Sequence, residues 1–307
     1  MEPAADHGAT GARTGRVAII GRPNVGKSTL LNALVGEHVS ITSRKSQTTR
    51  VRVLGVLTRG TPPATTQCIF VDTPGYQRRH RSVLNRRMNE AVGAALADAD
   101  VVVLVIDARG FSGEDQAVLD LLPAQRPGVI LAINKTDQLA DRDQLLPRIA
   151  AVAARYPFAA VVPVSAEKRH QLDELLDEIE RRLPAGEPLF EADQFTDRSV
   201  RFLAAEAIRE KAFRLLGDEL PYGIAVTIER WQEDERRAEI VATLLVERDA
   251  HKAIVIGAGG AKLREIGRLA RLDIERLLGK PVHLQTHVRV RRGWNDDARL
   301  LSSLGYE

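Results

Sequence analysis

The stretch Gly21–Ser28, which reads Gly-Arg-Pro-Asn-Val-Gly-Lys-Ser, constrains the fold of this 307-residue chain more than any other feature. It follows the apolar run Val17–Ile20 and leads into a helix-forming segment. Glycines in a strand-to-helix turn let backbone N–H groups face inward, and the helix N-terminus adds positive potential, so such a turn can hold phosphate. Lys27 would reach the β- and γ-phosphates, and the Ser28 hydroxyl would ligate Mg²⁺. The predicted phosphate site comprises Gly21, Arg22, Pro23, Asn24, Val25, Gly26, Lys27, Ser28 and Thr29.

Strand-like and helical runs alternate from Arg16 to about Leu183. The expected strands are 17–21, 51–58, 66–71, 101–107, 128–133 and 160–164, and the expected helices are 27–35, 82–97, 114–122, 142–154 and 170–182. Apolar runs such as Val101–Ile106 are typical of strands that a parallel sheet buries on both faces. This order predicts a doubly wound, mostly parallel α/β domain of the P-loop NTPase class, with 51–58 and 66–71 as a hairpin that adds an antiparallel edge strand.

Composition excludes several other classes of protein. Residues 1–15 are small and polar and predict a disordered tail, since they hold no apolar core of a signal segment. The longest apolar run, Val101–Ile106, is too short to span a bilayer. The single Cys68 cannot form an internal disulfide, which suits a reducing cytosol, and its apolar neighbours predict a buried strand position.

A second motif, Asp72-Thr73-Pro74-Gly75, follows the strand expected at 66–71. Ligands of such sheets bind at the carboxyl ends of strands. Asp72 could hold Mg²⁺ through water, and the Gly75 N–H could sense a γ-phosphate. The residues Thr73, Pro74 and Tyr76 complete this predicted part of the nucleotide site.

A third motif, Asn134-Lys135-Thr136-Asp137, follows the strand expected at 128–133. A carboxylate here can accept hydrogen bonds from the N1–H and exocyclic amine of guanine, a donor pair that adenine lacks. Asn134 would contact guanine and tie this loop to the phosphate loop, and the Lys135 stem would lie against the ring. Ser165 and Ala166 follow the strand at 160–164 and could offer an N–H to guanine O6. Together these motifs predict a guanine-nucleotide site.

The segment between Glu37 and Arg50 has no clear period and is rich in hydroxyl side chains. A segment that orders around a γ-phosphate and Mg²⁺ needs a hydroxyl ligand and freedom to move. Thr49 is favoured as the Mg²⁺ ligand, and Thr48 is the alternative.

These motifs, with Ser-Arg-Lys-Ser-Gln-Thr-Thr-Arg at 43–50, resemble those of the Era family of bacterial GTPases, and the resemblance covers nearly all of the chain after residue 15. It implies GTP hydrolysis with Lys27, Thr49 and Gly75 as catalytic residues. Tyr76 stands where small signalling GTPases carry a water-orienting Gln, so slow intrinsic hydrolysis is expected. Asn24 matches an Asn that helps hold K⁺ in related GTPases, although it could instead only brace the loop.

The chain beyond residue 197 has a different order of elements. A helix at 200–216, strands at 222–230 and 238–247, helices at 250–256 and 261–278, a strand at 282–291 and a final short helix are expected. The first helix is predicted to be amphipathic. With Gly257-Ala258-Gly259-Gly260 between two helices, this αββααβ order is the pattern of a type II KH domain, whose glycine turn clamps single-stranded RNA.

Charge supports an RNA-binding role, because residues 251–295 hold ten basic and three acidic side chains. The turn lacks the usual basic residue between its glycines, so neighbouring cations must contact phosphate. Trp294 could stack on a base or pin the last helix, and pinning is favoured. The predicted RNA-binding residues are Lys252, Gly257, Ala258, Gly259, Gly260, Lys262, Arg264 and Arg268.

We therefore expect a tail at 1–15, a G domain at 16–185, a linker at 186–197 and a KH domain with a C-terminal helix at 198–307. The resemblance implies a monomeric cytoplasmic GTPase that binds GTP and GDP, uses Mg²⁺ and acts on small-subunit ribosomal RNA during maturation of the small ribosomal subunit. Two alternatives stay open: an RNA-binding protein with a vestigial G domain, and a GTPase peripherally associated with the inner face of the cell membrane.

Overall fold

A computed structural model of the chain describes residues 11–42, 52–76, 83–139, 145–216 and 223–304. The described residues form two compact units. The first unit contains described residues of 11–39, 53–72 and 93–197, and the second contains those of 40–52, 73–92 and 198–304. The described residues of the segments that begin at Ser40 and at Thr73 therefore group with the C-terminal unit.

The N-terminal half alternates strands and helices as predicted. Its elements are β1 (Arg13–Ile20), α1 (Lys27–Val35), β2 (Val53–Arg59), β3 (Thr66–Asp72), α2 (Val83–Asp98), β4 (Val101–Asp107), α3 (Gly113–Leu119), β5 (Val129–Asn134), α4 (Leu145–Ala153), β6 (Ala160–Pro163) and α5 (Leu172–Glu180). The strand order is β2-β3-β1-β4-β5-β6, and every neighbouring pair is parallel except β2 and β3. The doubly wound sheet and its antiparallel hairpin are thus confirmed.

The core strands are buried because they lie in the middle of this sheet. All seven residues of β4 are buried, as its unbroken apolar sequence predicts. Cys68 is buried on β3, and burial, with a smaller contribution from Glu180, raises the pKa of its thiol to about 12.

The expected tail boundary at residue 15 is wrong for its last residues, since β1 begins at Arg13. Arg13 pairs with Thr66 in the parallel ladder, and its guanidinium donates to the Leu183 carbonyl at 2.7 Å. Thr14 donates its N–H to the Pro184 carbonyl at 3.2 Å. These partners are distant in sequence, so the local polar composition could not reveal the strand.

The expected linker at 186–197 is hydrogen-bonded to the sheet. The fully buried Gln67 amide donates to the Phe190 carbonyl at 2.9 Å and accepts the Phe190 N–H at 3.0 Å. Further along, Val56 on β2 donates to the Phe195 carbonyl at 2.9 Å. This segment belongs to the first unit up to Asp197.

The C-terminal half follows the expected αββααβ order. Its elements are α6 (Val200–Leu215), β7 (Ile224–Glu233), β8 (Ala238–Val246), α7 (Asp249–Ile256), α8 (Ala261–Leu278), β9 (Val282–Val290) and α9 (Ala298–Ser303). β8 lies between an antiparallel β7 and a parallel β9. Apolar residues of α6, α7 and α8 pack with the strands in one core. β7 continues to Glu233, past its expected end at 230.

The helix α6 differs from the predicted amphipathic helix, because it buries charged side chains as well as apolar ones. Arg209 is fully buried, forms two hydrogen bonds to Glu206 at 2.7 and 2.5 Å, and lies over the Phe213 ring. Glu210 is also fully buried. Burial of charge is tolerated where each group has an opposite partner, which a hydropathy pattern does not register.

Candidate nucleotide and RNA sites

The phosphate loop joins β1 to α1 at the carboxyl edge of the sheet. Gly26 forms the N-cap of α1 at φ 96° and ψ 29°, a left-handed conformation that favours glycine. A Cβ built on Gly26 would lie 2.4 Å from Nδ2 of Asn134. The glycine therefore permits both the turn and the close approach of the base loop.

Lys27 lies inside this loop and is buried. Its ammonium donates to the carbonyls of Gly21 and Arg22, each at 3.0 Å. Burial lowers the pKa of Lys27 to about 8, while the negative charge of Asp72 opposes that shift. An ammonium that carbonyls hold at the N-terminus of a helix is placed to bind phosphate oxygens.

Ser28 and Asp72 bring the phosphate loop together with the end of β3. The Ser28 hydroxyl donates to Oδ2 of Asp72 at 2.7 Å, and Asp72 is fully buried. A hydroxyl and a carboxylate oxygen are hard ligands of the kind that Mg²⁺ prefers, so these two residues fit the predicted metal site. Thr49 and Thr48 lie outside the described residues.

The segment after β3 is described as far as Tyr76. Thr73, Pro74 and Gly75 are buried and Tyr76 is half-buried. The Gly75 N–H as a sensor of γ-phosphate stays a prediction.

Asn134 connects three loops of the site. Its Nδ2 donates to the Val25 carbonyl at 2.9 Å, and its Oδ1 accepts the N–H groups of Lys135 at 2.8 Å and Ala166 at 3.0 Å. The expected tie between base loop and phosphate loop is thus present. Val25 contributes its backbone carbonyl to this contact, and its side chain is fully buried.

Lys135 bridges the base loop and the phosphate loop. Its backbone is left-handed at φ 67°, and its ammonium donates to the Asn24 carbonyl. The same ammonium pairs with Oδ2 of Asp107 at 3.1 Å. Sequence reasoning missed Asp107, although its place at the end of β4 is the signal that identified Asp72 and Asn134.

The remaining residues of the base loop are held from the 165–166 loop. Asp137 lies in a short 3₁₀ turn and is exposed, and one of its carboxylate oxygens accepts the Ser165 hydroxyl. The Thr136 hydroxyl donates to the Val164 carbonyl at 3.0 Å. The carboxylate is therefore oriented at the surface, where a base could reach it.

Arg22 makes a contact that the motif does not predict. Its Nε donates to Asp115 at 3.1 Å, and Asp115 also accepts the N–H and hydroxyl of Ser112 at 2.8 and 2.7 Å. Asp115 is buried and completes the capping box of α3. The Arg22 side chain thus anchors the phosphate loop to α3. Pro23 and Thr29, also predicted in the phosphate site, are partly exposed in and beside this loop.

The glycine turn of the C-terminal unit connects α7 to α8. Gly257, Gly259 and Gly260 all have positive φ, and Ala258 is exposed between them. The Arg264 guanidinium donates to the Gly259 carbonyl at 2.7 Å, so it braces the turn from within.

The other predicted cations differ in their surroundings. Arg268 forms two hydrogen bonds of 2.8 Å with Glu265, which offsets its charge. Lys262 is exposed directly after the turn and Lys252 is half-exposed on α7. Trp294 is fully buried, which favours the pinning interpretation over base stacking.

Comparison with known proteins gives consistent matches over both halves. A family described as 50S ribosome-binding GTPase matches residues 16–135, and the KH domain family matches residues 219–295. GTPase Era of Bordetella avium is 57% identical over 96% of this chain and 98% of its own length. GTPase Era of Nitrosomonas eutropha is 49% identical over 97% and 99%.

Two solved structures match equally well. Both share 41% identity at a TM-score of 0.90 and cover 96% of this chain and 99% of their own. One is an Aquifex aeolicus Era variant bound to GDP and AlF4⁻, and the other is Era in complex with MgGDPNP and nucleotides 1506–1542 of 16S ribosomal RNA. Identity of this extent over nearly the whole chain shows that the chain is a GTPase of the Era family.

Proposed function

We propose that this GTPase binds the 3′ region of small-subunit ribosomal RNA through its KH domain and assists maturation of the small ribosomal subunit. The observation that carries the proposal is the presence, in one chain, of a braced guanine-nucleotide site and a KH glycine turn. The Era structure that holds both MgGDPNP and a 16S ribosomal RNA segment shares 41% identity with this chain and supports the identity of both ligands.

In the proposed nucleotide complex, the backbone of Gly21–Thr29 and the Lys27 ammonium bind the phosphates. Ser28, Asp72 and Thr49 would hold Mg²⁺, which supplies positive charge to the phosphate oxygens. Asp137 selects guanine. The Ala166 N–H, predicted to meet guanine O6, donates instead to Oδ1 of Asn134 at 3.0 Å. These roles are supported by the Ser28–Asp72 contact and by the three hydrogen bonds of Asn134.

Hydrolysis is proposed to be slow without a partner, because Tyr76 cannot orient water through a carboxamide. Asn24 is proposed to help hold K⁺, since its side chain is exposed while its carbonyl is occupied by Lys135. Single-turnover hydrolysis should be faster in K⁺ than in Na⁺, and equal rates would reject the K⁺ role.

RNA is proposed to contact the turn through backbone N–H groups and through Lys262 and Lys252. The test is binding of a fluorescent oligonucleotide that corresponds to the 3′ end of 16S ribosomal RNA. Lys262→Ala should weaken binding and reduce its salt dependence, because one phosphate contact is lost. Arg236→Ala removes an exposed charge at the β7–β8 turn and serves as the matched control. Equal effects of the two variants would reject this surface.

Nucleotide state is proposed to act on the KH domain through the segments at 37–50 and 75–90, so that hydrolysis times release from RNA. Thr42 supports this mechanism, because its N–H and hydroxyl donate to the buried Glu210 of α6 at 2.8 and 3.0 Å. Lys211 links Glu210 to Asp273 of α8, the helix that follows the glycine turn. RNA affinity that is the same with GDPNP and with GDP would contradict the mechanism.

A C-terminal domain at 198–307, the monomeric state and the cytoplasmic location are part of this proposal. Every helix in the described ranges is too short or too polar to cross a bilayer. Weak peripheral association with the inner membrane face is tested by pelleting the protein with liposomes.

A further inference from the structure

Asp107 ends β4 at the carboxyl edge of the sheet, beside the base loop. In the parallel ladder it is the register partner of Asn134, the last residue of β5. Its side chain is almost fully buried. None of the roles assigned above to the nucleotide site uses this carboxylate.

The Asp107 carboxylate is clamped in its charged form by neighbouring donors. Oδ1 accepts the Arg109 N–H at 3.0 Å and Nε at 2.8 Å, and Oδ2 accepts Nη2 at 2.7 Å. Burial alone would raise its pKa, but the hydrogen bonds from Arg109 and Lys135 hold the pKa well below its usual range. The group is therefore a fixed negative charge beneath the base loop.

The Lys135 ammonium lies between this charge and the phosphate loop. It contacts Oδ2 of Asp107 at 3.1 Å and donates to the Asn24 carbonyl. Its Cε would lie 3.8 Å from a Cβ built on Gly26, so the stem runs along the phosphate loop. The ammonium of this long, flexible side chain is thus held by two partners before a nucleotide arrives.

We propose that Asp107 is a positioning residue for guanine-nucleotide binding, which acts by holding the Lys135 ammonium on Asn24 so that the Lys135 stem is preorganised against the base. This inference rests on the proposed guanine site. Without the carboxylate, the Lys135 ammonium would keep only the neutral Asn24 carbonyl as an acceptor. The side chain would then recover rotamer freedom, which nucleotide binding must remove again.

The test is the dissociation rate of the fluorescent nucleotide mant-GDP from the full-length protein with Mg²⁺. Asp107→Asn keeps the shape of the side chain but removes its charge, and Lys135→Met keeps the stem but removes the ammonium. Each variant should release mant-GDP about tenfold faster, the usual scale for one charge-assisted contact, with little change in the association rate.

The double variant distinguishes positioning from a merely structural role. If Asp107 acts through Lys135, the double variant releases mant-GDP no faster than Lys135→Met. Multiplication of the two effects, or an unchanged rate in Asp107→Asn, overturns the proposal. Should Asp107→Asn fail to fold, Lys135→Met alone decides, since an unchanged dissociation rate there also overturns it.

Asp120→Asn is the matched control, because it neutralises an exposed carboxylate that follows α3. It should leave the dissociation rate unchanged. Failure of the wild-type protein to bind mant-GDP would reject the proposed function itself. Normal wild-type binding with an unaffected Asp107→Asn would reject only the positioning role.

Discussion

Replacing Gly26 by alanine is expected to weaken guanine-nucleotide binding strongly while the protein stays folded. The backbone at Gly26 is left-handed, at φ 96°, which costs a residue with a side chain about 1–2 kcal/mol. The new methyl would lie 2.4 Å from Nδ2 of Asn134. Asn134 must then move and lose its 2.9 Å hydrogen bond to Val25, a further loss of about 1 kcal/mol.

Together these contributions amount to about 2–3 kcal/mol, which nucleotide binding must supply to restore the loop. The affinity for nucleotide should therefore fall roughly 30- to 160-fold. Titration with mant-GDP measures this loss directly. Thermal unfolding without nucleotide checks that the variant is folded.

Gly36→Ala provides the matched control. Gly36 caps α1 in the same left-handed region, at φ 89°, but a Cβ built on Gly36 would meet nothing within 4 Å. It should lose about 1–2 kcal/mol of folding free energy and keep its nucleotide affinity. Nucleotide affinities that are equal in the two variants would refute the argument from the Asn134 contact.

Three further measurements test contacts beyond the phosphate loop. Glu210→Gln should lower the free energy of unfolding by about 2 kcal/mol, since a buried acceptor of Thr42 loses its charge; an unchanged urea midpoint would contradict this. Asp115→Asn should lower it by about 1–3 kcal/mol in thermal unfolding, because Arg22 and the capping box lose their acceptor. Cys68 should resist iodoacetamide until urea unfolds the chain, because burial raises its pKa to about 12, and rapid native alkylation seen by mass spectrometry would show otherwise.

Most of the fold class could be predicted from the sequence, because each motif is a short run of residues that are consecutive along the chain. Glycines between an apolar strand and a helix predicted the phosphate loop, and each later motif followed a strand, as parallel sheets require. The β2–β3 hairpin could be placed because its two strands lie close together along the chain. The strand start at Arg13 could not be predicted, since Arg13 pairs with Thr66 and Thr14 donates to the Pro184 carbonyl, and both partners are remote in sequence.

The sequence motifs name the residues that are expected to touch nucleotide, but they miss residues that act through another side chain. Asp107 and Asp115 belong to no phosphate or base motif, yet each holds a cation of the phosphate or base loop. On the RNA side, basic composition counted Arg264 and Arg268 as contacts. In the structure Arg264 donates to Gly259 and Arg268 donates to Glu265, and composition cannot identify such partners.

The segment that follows the first domain also covers an edge strand of its sheet. β2 is an outermost strand, and Thr196 bridges to Gly55 and donates its hydroxyl to the Leu54 carbonyl at 2.7 Å. Exposed strand margins recruit strands from other molecules and lead to aggregation. A shortened G domain that ends at Pro188 would expose this edge strand and the amide of Gln67 and would aggregate. One that ends at Asp197 would keep the covering segment on the edge strand and would not aggregate.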